Sequence, residues 1–129
     1  MFTINYTVNT INYCLFDYIS FVVIAARSCK DMMNKLSASG VTPLDGLYNI
    51  SILSNPVYCD MSRNGGGWTL LVSSHSNTWT ADNVKDRNSA SPRLYMDYSI
   101  LKDADLIKDT YLSNDVQYRL EAQQFGKLS

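Results

Sequence analysis

Three consecutive glycines, Gly65, Gly66 and Gly67, run directly into Trp68-Thr69-Leu70-Leu71-Val72, the most apolar β-type stretch of the chain. No other feature restricts the fold as strongly. Glycine reaches positive φ without steric cost and lets another backbone come close, so the triplet predicts a tight turn that delivers Trp68 to a buried position. The run from Trp68 to Ser74 then reads as the central strand, buried on both faces near its start. Glycine-rich loops also suggest a phosphate cradle, but dinucleotide spacing from Gly65 and Gly67 puts Leu70 where a third glycine is required, and no Walker-type lysine follows. The glycines and Trp68 are a structural motif.

The flanking sequence predicts mixed elements. Ser28 to Ser37 reads as a helix, with Ser28 as its cap, Asp31 at capping-box spacing, and Met32, Met33 and Leu36 on the apolar face. Gly40 and Pro43 end it. After the turn at Leu44-Asp45-Gly46, residues Leu47 to Leu53 place Tyr48, Ile50 and Ile52 on one face and Asn49 and Ser51 on the other, the pattern of a half-buried strand. Asn55-Pro56 breaks that strand, Val57 to Met61 resumes it, and Arg63 to Gly67 closes a hairpin. Beyond Ser74, a polar loop contains at most a short helix started by Thr80. Ser99 to Asp109 predicts a longer helix with Ile100, Ala104 and Ile107 facing inward. Gln117 to Gln123 alternates Tyr118, Leu120 and Ala122 against Arg119 and Glu121, which predicts a final strand whose apolar face nothing covers. An uncovered strand of this kind favours association, so residues 1–129 alone are expected to fold poorly. The fold class is α+β and sheet-centred.

Charge divides the chain at residue 26. Before Arg27 the only charged residue is Asp17. The longest uncharged apolar stretch, Tyr18 to Ala26, is far shorter than the roughly 20 residues of a spanning helix, so no membrane span is expected. Three readings fit residues 1–26: a cleaved secretory signal with the mature chain starting near Arg27 or Ser28, a mistaken start, or an N-terminal strand with Phe2, Ile4, Tyr6 and Val8 on one side. Residues 27–129 form the domain. A net charge of -1 supplies no electrostatic footprint for nucleic acid or an anionic membrane.

The three cysteines, Cys14, Cys29 and Cys59, and the single histidine, His75, do not make a zinc set. With Cys14 in the separable segment, Cys29 and Cys59 remain as an even pair, read as a disulfide in a secreted domain or as two buried thiols otherwise.

Taken in order and spacing, Ser28-Cys29-Lys30-Asp31, Asp45-Gly46-Leu47-Tyr48-Asn49-Ile50, Val57-Tyr58-Cys59-Asp60-Met61 and Gly65-Gly66-Gly67-Trp68-Thr69-Leu70-Leu71-Val72 resemble the fibrinogen C-terminal domain family. The resemblance is clearest over residues 28–75. Ser73-Ser74-His75-Ser76-Asn77 is similar to the intelectin branch, and Asn77 to Lys85 with Tyr98 to Lys102 resemble fibrinogen-related extracellular proteins of corals and other cnidarians, some of them in skeletal matrix. The resemblance implies that Cys29 and Cys59 bridge the opening helix to the second strand. It also implies a secreted, non-enzymatic recognition or matrix module that meets an extracellular glycan or protein ligand. In the family the calcium loop, the recognition pocket and a second cysteine pair lie in the C-terminal half. No positions here match them, so no cofactor is expected in this chain, which corresponds to a truncated N-terminal portion of the domain. An intelectin-like carbohydrate-binding fragment and a non-functional gene fragment are the alternatives.

Candidate site residues are few. Asn49-Ile50-Ser51 is a glycosylation sequon with Asn49 on the expected solvent side of its strand, and Asn5-Tyr6-Thr7 is a second. Ser74 and His75, adjacent on a strand, point to opposite faces and cannot act as nucleophile and base. His75 is expected to hydrogen-bond at a strand end and is the one candidate ligand-binding side chain. Asp103, Asp105 and Asp109 lie on a predicted helix, which splays carboxylates apart rather than wrapping them around an ion, so no metal is expected. No paired carboxylate or nucleophile-base set suggests an enzyme.

Overall fold

The computed structural model describes residues 24–109 and 116–122. Helix α1 spans Cys29–Ala38. Its start is fixed by Ser28, extended at φ -159°, whose Oγ accepts the Asp31 amide at 3.0 Å. Asp31 in turn accepts the Arg27 amide at 2.9 Å and pairs with Lys35 at 3.1 Å, so the expected reach back is made to the residue before the cap. At the other end Gly40, at φ +76°, donates to Ser37 O and Val41 donates to Leu36 O, the paired bonds of a Schellman motif. The helix buries Cys29, Met32 and Leu36.

Strands β1 (Gly46–Tyr48), β2 (Val57–Asp60) and β3 (Trp68–Thr69) form an antiparallel sheet in the order β1-β2-β3. Cys59 pairs with Gly46 on one side and Thr69 on the other. A disulfide joins Cys59 to Cys29 across a Cα–Cα distance of 5.5 Å, tying the first residue of α1 to the middle strand. Strands β4 (Val72–Ser73) and β5 (Tyr98–Ser99) form a second antiparallel pair. Leu70 N donates to Tyr58 O and Ile100 N to Leu71 O, which carries backbone pairing from one sheet to the other. A 3-10 turn at Leu101–Asp103 leads into α2, Ala104–Asp109. The core is one cluster of Ala26, Cys29, Met32, Leu36, Tyr48, Ile50, Val57, Cys59, Met61, Tyr98 and Ile100. The described chain is thus a small α+β arrangement of helices and antiparallel sheets.

Several elements depart from expectation. The central strand is β2, not the Trp68 run, which splits into two-residue strands in different sheets and leaves Trp68 only half-buried. The strand expected over Leu47 to Leu53 stops at Tyr48, because Ser51 donates to Ala26 O and Leu53 to Ile50 O, bending the chain around the segment that enters the helix. Ile50 is still buried, but at a turn. Ser99 does not begin a helix: its N and O both pair with Arg87 and its Oγ donates to Val84 O, so it belongs to β5, while regular α-helix starts at Ala104. Residues 116–122 contain no strand. Tyr118 at 69% and Leu120 at 97% exposed are uncovered, as expected, but burial does not alternate along the segment, and Arg119 is the side chain that reaches the body.

The glycine triplet does what its composition requires. A Cβ on Gly66, at φ +67°, would sit 2.2 Å from Met61 O, and one on Gly67, at φ +79°, would sit 2.8 Å from Lys30 Cα. The turn therefore packs its backbone against both the end of β2 and the helix. Gly65 has positive φ but open space around it. Gly65→Ala is accordingly expected to cost about 1 kcal/mol from backbone conformation alone. Gly66→Ala, which adds a clash with backbone, should cost roughly 3 kcal/mol or more. Urea unfolding of the two variants checks this, and equal losses would contradict the close approach.

Candidate functional site

Asp60 sits at the end of β2 with its side chain 5% exposed. A buried carboxylate is tolerated only when its oxygens are paired, and here both are. Oδ1 accepts the amides of Ser62 at 3.2 Å and Arg63 at 3.1 Å. Oδ2 accepts Arg63 Nε at 2.9 Å and Arg119 Nη2 at 2.6 Å. The Arg119 guanidinium also lies over the Trp68 ring, 4.9 Å from its centroid, and Trp68 is the register partner of Asp60 across the sheet. Glu121 closes the cluster, bonding Arg119 Nε at 3.0 Å and Arg63 Nη2 at 3.2 Å. Below it, Asp45 accepts the amides of Met61 at 2.6 Å and Ser62 at 3.0 Å, and Lys30 donates to Gly65 O at 3.2 Å, so both ends of the 61–67 turn are held. Lys30 Nζ also reaches Gly66 O at 3.5 Å, so it spans two carbonyls of the triplet.

A second cluster organises the loop between β4 and β5. Asp97 accepts the amides of His75 at 2.7 Å and Ser76 at 3.0 Å, bonds the Ser76 hydroxyl, and pairs with Arg87 Nη2 at 2.9 Å. The Ser76 hydroxyl and the His75 amide hold the Asp97 carboxyl below its ordinary range. Arg87 stacks on Trp79 at 4.6 Å and bonds Thr78 Oγ1 at 2.7 Å. Thr80 and Asn83 exchange bonds between side chain and amide, the chemistry of a helix start, but only turns follow.

His75 Nε2 contacts Ser73 Oγ at 3.1 Å and Leu94 O at 2.7 Å. A carbonyl only accepts, so Nε2 carries the proton. Ser73 Oγ donates to the same Leu94 O at 2.9 Å. The nitrogen facing the hydroxyl is therefore not available as its base, and the pair works as a latch from β4 to residue 94. His75 hydrogen-bonds at a strand end, as expected, through Ser73 rather than Ser74.

Asn49 follows β1 and is half-buried rather than on an open strand face. It lines a cleft of about 780 Å³ with Ile24, Ala26, Leu47, Pro56 and Arg93. Among the described residues no group of three or more His, Cys, Asp or Glu side chains is placed to hold a metal, and no helix is long and apolar enough to cross a membrane. Asp105 is 90% exposed at its side chain and pairs with Lys108 at 3.6 Å. Cys14 and Asn5 lie outside the described residues.

The structure thus brings Cys29 and Cys59 together and packs the glycine turn on the same helix, while Asn49 and His75 sit apart. Sequence reading missed Asp60, Arg119, Asp97 and Arg87. An isolated Arg in an alternating apolar stretch, with a lone Asp after a cysteine, was the available signal. No family model matches the chain, and no solved structure matches it.

Burial alone would raise the Asp60 pKa, but the Arg119 bond and the amides of Arg63 and Ser62 outweigh it, holding the group at about 2 against 3.8 for a free carboxyl. A group depressed on folding stabilises the fold above its unfolded pKa, and the contribution is lost as pH falls through the folded value. Asp60 is therefore expected to contribute about 2 kcal/mol near neutral pH, lost between roughly pH 4 and pH 2. Denaturant midpoints across that range should fall more steeply for wild type than for Asp60→Asn. Parallel acid profiles would contradict the assignment.

Proposed function

We propose that the chain is a secreted, non-enzymatic recognition or extracellular-matrix module of fibrinogen-related type. The observation that carries this reading is the Cys29–Cys59 bridge between the start of α1 and β2, with the Gly65–Gly67 turn packed on the same helix. Those are the positions at which the family resemblance places its first disulfide and its glycine-tryptophan motif. A structural disulfide also favours an oxidising compartment. The protonation pattern at Ser73 and His75, a latch rather than a nucleophile with its base, supports a non-catalytic role. On this reading, the module's ligand is an extracellular glycan or protein.

Expression of residues 1–129 in secretory animal cells tests the proposal. The protein should appear in the medium, begin near Arg27 or Ser28, and show a Cys29–Cys59 peptide on non-reducing mapping. It should show no calcium-dependent retention on acetylated-sugar resin. Intracellular retention with both thiols alkylated without reduction would contradict secretion, and retention on the resin would place ligand binding within these residues.

A further inference from the structure

We propose that Trp68 and Asp60 form a receptor for the guanidinium of an arginine side chain, filled in this chain by Arg119 and open to an arginine offered by an extended segment of another polypeptide. Arg119 shows the mode of recognition. Its Nη2 donates to Asp60 Oδ2 at 2.6 Å and its Cζ lies over the Trp68 ring, 4.9 Å from the centroid, while its Nε bonds Glu121 of its own segment at 3.0 Å. A flat, delocalised cation satisfies both surfaces at once, and an ammonium does not.

The receptor is built without Arg119. Asp60 is held on β2, its Oδ1 taken by the Ser62 and Arg63 amides and its Oδ2 already partnered by Arg63 Nε. The Trp68 indole donates to Asn64 O at 3.1 Å, which fixes the ring on the glycine turn, and Asp60 faces Trp68 in the β2–β3 register. Both walls are thus set by the sheet and turn before the cation arrives, and preorganisation of this kind lowers the cost of binding.

The occupant, by contrast, belongs to neither the sheet nor the glycine turn. Residues 116–122 form no helix or strand, and Tyr118 and Leu120 point away from the body. Among the described residues, the polar contacts from this segment to the rest of the fold run through Arg119 to Asp60 and through Glu121 to Arg63, the latter a half-exposed pair of the kind that contributes little. A short extended strap placing one arginine into a prebuilt niche is also what an arginine-bearing peptide from elsewhere would supply. The inference does not depend on the fibrinogen-related reading, since it uses only these residues.

The test uses the full chain carrying Arg119→Ala, with N-acetyl-arginine amide as ligand and the Trp68 indole N–H resonance as readout. Saturable shifts of that resonance are expected. N-acetyl-lysine amide should bind roughly tenfold more weakly, because its compact, strongly hydrated ammonium cannot lie flat on the indole while donating to the carboxylate. Adding Asp60→Asn to the same variant should abolish the shifts. Wild type should respond at least about tenfold less, because its tethered arginine competes at an effective concentration in the millimolar range. If Arg119→Ala does not fold unaided, the arginine amide should restore its dispersed amide spectrum. Absence of a shift in a folded variant, failure to restore an unfolded one, or equal binding of the lysine amide each overturns the proposal.

Discussion

The bond between Cys29 and Cys59 is the constraint on which the other contacts depend. Its two ends are wholly buried, and one of them lies at the middle of the three-stranded sheet. Cys59 pairs with Gly46 and Thr69, so a single cross-link ties the first residue of α1 to all three strands. These elements are short: α1 has 10 residues and the strands have three, four and two. A helix of that length is marginal in water by itself, and so is an isolated hairpin. Closing a loop with a sequence separation of 30 restricts the unfolded chain and stabilises the fold by roughly 3 to 4 kcal/mol in the entropic account. That is a large share of what a domain this small possesses.

On this clamp the structure adds polar anchors rather than a large apolar interior. Asp60 organises the end of β2, the turn toward Trp68 and the 116–122 segment, while Asp97 organises the loop between β4 and β5. Each carboxylate takes backbone amides on one oxygen and a guanidinium on the other, and each guanidinium stacks on a tryptophan. The repetition of this unit, acid with arginine over indole, explains how long irregular stretches keep a defined course without regular secondary structure. It also accounts for the exposure of Tyr118 and Leu120, since the inward position is taken by the side chain that reaches Asp60.

Local chemistry was legible in the sequence wherever one residue decides the outcome. Ser28 caps the helix, Gly40 ends it, and the glycine triplet makes the close approach that only glycine permits. The cysteine pair was legible because only two thiols remained to be matched. The order of strands was not, because hydrophobicity marks Trp68 to Val72 as central while centrality is set by which strand finds partners on both edges. Val57 to Asp60 has them, and that depends on contacts distant in sequence. Alternation from Gln117 predicted a strand, but none forms over residues 116–122, and alternation did not say which side chain would turn inward. The Arg119 pairing with Asp60, 59 positions apart, decides that.

Native hydrogen exchange on oxidised protein and on the Cys29→Ser, Cys59→Ser double variant tests the central role of the clamp most directly. With the bridge intact, the amides of β2 and of the last turns of α1 should share the slowest exchange. In the double variant, protection across α1 and all three strands should fall together, with a loss of stability of roughly 3 kcal/mol. Unchanged protection of β2 without the bridge, or loss confined to the residues beside Cys29, would contradict the account.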